Sequence, residues 1–391
     1  MKKNILIINT HLKIGGIERS LVDLLRHINY NQYNVDLLLL EGAGEYLNEI
    51  PNTVNIIQND IRPAYGPIAT ILHKNIQTCN WFAIKYRIIL ILIQIFGSKG
   101  YLLMRKLLKI KKKYDIAIAY RIGLSTDIIA YGITSKQKLC WWHHGAIQVD
   151  VNKEMLLKAW SHFNSIIAVS LGVYNILSNF SNNLTSKIVI IPNMIDTKQI
   201  CSMSEIGENP YNDYIGLKFV TVGRITVEKH IENVVKAAKR LKSDNKLNFK
   251  WYIIGDGELY DYIDSLIYKE GVDDHVILCG NKANPYPYIR YADMMIHTSH
   301  VESQGLVIQE AMALNTPCVV TKSIGPSEFI INGKNGVLVE PSIESLIDGI
   351  YLLAENKQLQ VQITTNAQAT LSNKYTPQTI INKIENLFNS I

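Results

Sequence analysis

The stretch HTSHVESQGLVIQEAMALNTPCVVTK, residues 297–322, decides how this chain is read. The apolar run DMMIHTS stops at a polar loop that holds Glu302, Gln304 and Gly305. Apolar residues then recur at helical spacing from Leu306 through Met312 and Ala313, and Pro317 opens a second apolar run, PCVVT. The pattern predicts strand, loop, helix, strand. In open α/β sheets, ligands collect beyond the carboxyl ends of the strands, where loop amides and a helix N-terminus hold an anion without any charged side chain. Gly305 lets the backbone come close there. Glu302 falls in the loop near such an anion, and Glu310 lies more than a helical turn further on, where a carboxylate suits a vicinal diol.

Two glutamates with seven residues between them, then Ala311 and a Pro-opened strand, resemble the signature of retaining glycosyltransferases of the GT-B fold, specifically the family-4-like bacterial sugar transferases. The resemblance implies that Glu310 binds the nucleotide ribose, that Glu302 lies beside the donor sugar, and that the amides of Gly305, Leu306 and Val307 hold the diphosphate. Ser303 stands where that family commonly has Gly, which bears on the path of the loop.

A chain of 391 residues that is 47% apolar is long enough for two domains, each with its own core. Forty Lys and Arg against 34 Asp and Glu give a formal charge of +6, which suits anionic small molecules or an anionic membrane surface as well as nucleic acid. The five cysteines form no C-x-x-C pair and have mostly apolar neighbours, so they read as buried thiols in a reducing compartment. The opening MKKNILIINTHLK has an apolar run too brief for a signal peptide and reads as a first strand.

That strand is followed by Gly15 and Gly16 at the head of an amphipathic helix, then by the strand NVDLLLL. The resemblance brings the GG(x)ER segment to the donor diphosphate; a plain helix start with Gly for packing is the alternative. Residues 65–113 break the α/β rhythm. The run IILILIQIF is too short to span a bilayer, and Lys99–Lys113 holds seven cations and no acid. The stretch 85–113 therefore reads either as helices that lie on an anionic leaflet or as a packed face with solvated lysines. Past the strand in KLCWWHHGAI come His143 and His144. A neutral His there could hydrogen-bond a sugar hydroxyl or carry a proton, and the resembled family places a His after W-x here, which maps onto His143; a packed loop beside two Trp is the alternative. No third ligand stands at metal spacing. The polar stretch SEIGENPYNDYIG, residues 204–216, is where we place the interdomain hinge.

The second half opens on LKFVTVGRITVEK, and Gly223, Arg224 and Lys229 match the family's G-R-(x)4-K, with His230 where Gly or Asn is usual. A departing diphosphate needs positive charge, and Arg supplies a planar fork where Lys supplies a compact ammonium. The G-x-G at Gly255–Gly257 lacks a third Gly, Tyr260 standing in its place, so a dinucleotide enzyme is a poor reading. By resemblance, Gly280–Lys282 edge the nucleotide base.

These features predict an α/β GT-B architecture of two Rossmann-like domains facing a cleft. Residues 1–200 form the acceptor domain and 201–375 the donor domain, with 376–391 a helix that crosses back to the first. The implied activity is retaining, metal-independent transfer of a sugar from a nucleoside diphosphate donor, a UDP-sugar first, with no cofactor. His143, Arg224, Lys229 and Glu302 serve the chemistry, and Gly15, Gly16, Arg224, Lys229, Gly305, Leu306, Val307 and Glu310 hold the donor. The expected acceptor is a lipid-linked saccharide or oligosaccharide at the cytoplasmic leaflet, and nucleic acid is not an expected partner. A nucleotide-sugar-binding scaffold without turnover and a nucleotide-sugar epimerase remain as alternatives.

Overall fold

Short runs rich in Val, Ile and Leu, buried on both faces, have no solvent side to alternate toward and so form the strands of parallel sheets. The computed structural model describes residues 2–147 and 152–390. The first sheet contains β1 (Lys3–Asn9), β2 (Tyr33–Leu39), β3 (Asn55–Gln58), β4 (Tyr114–Ala119), β5 (Ser135–Trp142), β6 (Ser165–Ala168) and β7 (Ile188–Ile190), in the order β3-β2-β1-β4-β5-β6-β7. The second contains β8 (Leu217–Val222), β9 (Phe249–Ile254), β10 (Val276–Leu278), β11 (Met294–His297), β12 (Cys318–Thr321) and β13 (Val337–Val339), in the order β10-β9-β8-β11-β12-β13. Every strand pairing is parallel, for example Ile7 with Ile118 and Met295 with Val220. In each sheet the order reverses once, between β1 and β4 and between β8 and β11. There the connections leave to opposite faces and open a crevice at the carboxyl ends.

Each sheet carries its own core. Leu6, Ile7, Leu37, Ile118 and Trp142 centre the first; Phe219, Trp251 and Val234 fill one face of the second, and Val220, Met295 and Ile308 the other. The last helix, Pro377–Asn389, returns to the first unit. Its Ile380, Ile381, Ile384 and Phe388 are buried in that core, at the 3–4 residue spacing of one helix face. Lys3 Nζ and Gln137 Nε2 each donate at 2.8 Å to carbonyls of its last turn.

The cores change hands earlier than the polar stretch 204–216 suggested. Met194 packs with the first unit, whereas Ile195, Ile200 and Tyr211 pack with the second, because the helix Thr197–Ser204 turns its apolar side to that core. The two crossings of the chain lie together, the Ile195 N–H donating to the Tyr375 carbonyl at 2.8 Å.

Candidate active site

The side-by-side strands β8 and β11 deliver two loops to one place. Residues 223–229 leave β8 and residues 298–305 leave β11. Hydroxyls stitch the loops together: Thr298 Oγ1 donates to the Lys229 carbonyl at 2.8 Å, and Ser299 Oγ to the Glu228 carbonyl at 2.9 Å. The stitching brings the Lys229 ammonium onto the Glu302 carboxylate, and His297 Nε2, at the end of β11, lies 3.0 Å from the same oxygen. Burial works against charge on Glu302, yet Lys229 and His297 outweigh it and hold the carboxyl at about 2. Glu302 is therefore an anion already paired with the cation that a diphosphate would need. His297 gave no signal in sequence, because a His closing an apolar strand looks like one more core residue.

Gly305, with φ 81°, begins the helix Leu306–Ala313. That left-handed backbone is one a side chain rarely adopts, and a Cβ there would meet Ile308 at 2.9 Å. The first amides of a helix have no partner within it, and here they belong to Leu306 and Val307, directly after Gly305. Across the crevice stands the first sheet. A Cβ on Gly16 would lie 3.6 Å from Leu306 Cδ1, and one on Gly145 only 2.9 Å from the Glu302 backbone carbon, so both glycines mark where the units touch. Gln304 spans the gap by accepting from the Asn193 N–H at 2.7 Å and donating to its carbonyl at 3.0 Å.

Arg224 is exposed, and its charge reaches His11, Glu18 and His144 on the opposite unit. Burial, with Arg121 and Arg224 nearby, pushes His144 down to about 4. His143 is 9% exposed, tilted against Tyr120 with ring centroids 4.9 Å apart, and burial holds it at about 3. Its Nε2 is buried with no hydrogen-bond partner among the described residues. Glu18 and Arg121 were not singled out from the sequence. Arg121 Nη1 donates to Glu18 Oε1 at 2.8 Å at the β1/β4 reversal, a pairing between residues a hundred positions apart.

Glu310 faces away from Glu302, toward the helix Gly16–His27. Tyr286 Oη donates to it at 3.4 Å, and Arg19 and Asp23 face it from the first unit. Burial raises Glu310 to about 7 and Asp23 to about 6. The cavity among them measures about 10 Å³, room for a single water. Of the expected site residues, Gly16, beside Gly15, and Leu306 and Glu302 stand where the units touch, Lys229 is paired with Glu302, and the charge of Arg224 reaches the first unit; Glu310 lines the adjoining cavity with Leu306, and His143 packs on Tyr120 within the first unit. Among the described residues no three His, Cys, Asp or Glu side chains are grouped to hold a metal ion.

Residues 216–370 match the family described as glycosyl transferases group 1. The poly(ribitol-phosphate) α-N-acetylglucosaminyltransferase of Staphylococcus aureus is 32% identical over 172 residues, 43% of this chain and 34% of that enzyme's own length. A Campylobacter jejuni N-acetylgalactosaminyltransferase, named for a diphospho-undecaprenol-linked acceptor, is 26% identical over 352 residues, 88% of each chain. The crystal structure of Anabaena HepE with UDP and glucose superposes over the whole of both chains with a TM-score of 0.75 at 19% identity. The match to group 1 glycosyl transferases thus falls within the second unit, and the two units together have the GT-B fold.

Proposed function

We propose that this chain transfers a sugar, with retention, from a uridine diphosphate donor to a hydroxyl of a lipid-linked saccharide in the synthesis of a surface polysaccharide. The observation that carries the reading is the Lys229–Glu302–His297 group, with Gly145 of the first unit against Glu302 and Gly16 against Leu306 in the helix that Gly305 starts. Arg224, Lys229 and the amides of Gly305, Leu306 and Val307 receive the diphosphate, Glu310 takes the ribose, and His143 a hydroxyl of the donor sugar. Fixed cations and dipoles at the departing diphosphate replace a divalent metal. The named acceptor of the C. jejuni relative and the UDP of the Anabaena structure support the choice of substrates. A thermal-shift screen tests it: at a hundred times its Kd, a ligand stabilises the fold by about 2.7 kcal/mol. UDP and UDP-sugars should raise the melting midpoint by several degrees, and no shift with any nucleoside diphosphate would defeat the proposal.

The acceptor reading extends to a membrane surface on the first unit, at the cytoplasmic leaflet. Ten of the 21 exposed large apolar side chains among the described residues fall between Tyr65 and Leu103. No Asp or Glu occurs between Asp60 and Asp115, a span with eleven Lys and Arg. By length and composition the helical stretch Trp81–Leu107 is apolar enough to cross a bilayer, which the run IILILIQIF alone was not. It is broken by the turn Gly97–Gly100, and Ala83, Tyr86, Ile89 and Met104 belong to the first core, so we read it as lying along the unit with its other side in lipid. Lys112 is held by Asp36 at 2.9 Å, so the apolar side chains make a cleaner test than the lysines. Burying one such side chain is worth about 1.5–3 kcal/mol. Replacing Trp81, Ile95 and Phe96 together by Gln should weaken co-sedimentation with phosphatidylglycerol vesicles by at least about tenfold. Wild-type protein that ignores those vesicles at low salt would remove the membrane from the proposal.

A further inference from the structure

Two histidines outside the group described so far meet face to face where the catalytic loops join. The rings of His230 and His300 are stacked with centroids 3.7 Å apart and planes 27° from parallel. His230 follows Lys229 directly, and His300 stands two residues before Glu302. The ring pair therefore clamps the two loops at the point from which their ion pair projects, next to the His300 N–H bond to the Glu228 carbonyl at 3.3 Å. His230 adopts a left-handed backbone, φ 49° and ψ 46°, which Gly or Asn adopts more readily. A strained residue beside reacting groups persists only where its surroundings hold it. Here the stack and the Glu232 carboxylate, 3.1 Å from His230 Nδ1, do so.

We propose that the His230–His300 stack is a positioning element that holds Lys229 in register with Glu302 and the donor diphosphate, and that it works only while the stacked rings are not both charged. The proposal rests on the glycosyl-transfer reading above. His300 Nε2 is buried and has no hydrogen-bond partner among the described residues, so a proton placed there would sit on an unsatisfied donor against a second imidazole. Burial and His230 accordingly lower the pKa of His300 from the ordinary 6.5, with Glu232 opposing. The other charged groups nearby are Glu228 and Lys229 on the same loop, Glu302 on the facing loop, and Arg224. A lowered value means the stack is intact above about pH 6.5 and is progressively opposed as pH falls below it.

The test uses His300→Ala, His300→Phe and His230→Asn in the full chain. A small misplacement of a reacting group can cost about a hundredfold in rate. His300→Ala should lower kcat at pH 8 by about tenfold or more while the donor KM moves less than about threefold. Phe stacks but cannot take a proton, so His300→Phe should restore most of that loss and flatten the fall in kcat, at saturating donor, expected of wild-type protein as pH drops below the ordinary histidine value. A wild-type acid limb in His300→Phe, or an unchanged kcat in His300→Ala, overturns the proposal. Ring NMR titration separates this from failure of the transferase reading: His300 should titrate below the ordinary value and rise in His230→Asn, with or without substrate. Absence of that shift overturns the stack, whereas its presence without turnover of any sugar nucleotide overturns only the transferase.

Discussion

Lys229→Ala is expected to lower kcat by about a hundred- to a thousand-fold, the usual cost of one preorganised electrostatic donor. As the glycosidic bond breaks, negative charge builds on the diphosphate oxygen next to the sugar, so a fixed cation gains more in the transition state than in the bound donor. The structure adds a complication to that simple case. Lys229 also neutralises Glu302, whose carboxylate is only 12% exposed. Removing the lysine leaves a buried anion, held by His297 alone, beside an anionic donor, and this should raise the donor KM as well. Lys229→Ala with Glu302→Gln separates the two effects, because contacting residues are not additive. The double variant should recover the KM and keep the low kcat. An unchanged kcat in Lys229→Ala would rule out the leaving-group role, and a raised KM with kcat intact would make the lysine a ground-state contact.

How much of this was legible before folding differs by distance along the chain. The strand, loop, helix, strand unit at residues 294–321 was readable because its signals are local: an apolar run, a Gly needing positive φ, helical spacing, a Pro. So were Arg224 and Lys229, as the two cations in the loop that follows a strand. The pairings were not legible. Arg121 with Glu18, Asp23 with Glu310, and Gln304 with Asn193 join residues from 103 to 287 positions apart, and only the sheet order places them together. The point where the chain passes from one core to the other was hard to read for a related reason. Polarity marked residues 204–216 as a linker, but whether Ile195 and Ile200 belong to one core or the other depends on which face the helix Thr197–Ser204 turns, and an eight-residue helix carries too few apolar positions to say.

Glu310→Ala is expected to weaken nucleoside diphosphate binding by about ten- to a hundred-fold, since a hydrogen bond to a charged group is worth about 1.5–3 kcal/mol. The charge matters, and burial in the cavity suppresses it. Glu310 stands at about 7 because burial, aided by Asp23, outweighs Arg19. A group raised above its ordinary 4.5 stabilises the closed arrangement most at low pH and loses that contribution as pH rises through about 7. A ribose diol donates two hydrogen bonds, which the ionised carboxylate accepts best, and a cavity of about 10 Å³ must widen to admit it. Both requirements favour binding at and above neutrality. Affinity should be flat above about pH 7 and fall by about tenfold per pH unit below it, with a proton released to the buffer on binding. Calorimetry in two buffers of different ionisation enthalpy reads that proton directly. Glu310→Gln should lose most of the release and retain only what Asp23, at about 6, contributes. If affinity for the nucleoside diphosphate is the same in Glu310→Ala, or if the proton release is undiminished in Glu310→Gln, then Glu310 does not hold the ribose and the cavity between Glu310 and the helix Gly16–His27 is only part of the contact between the units.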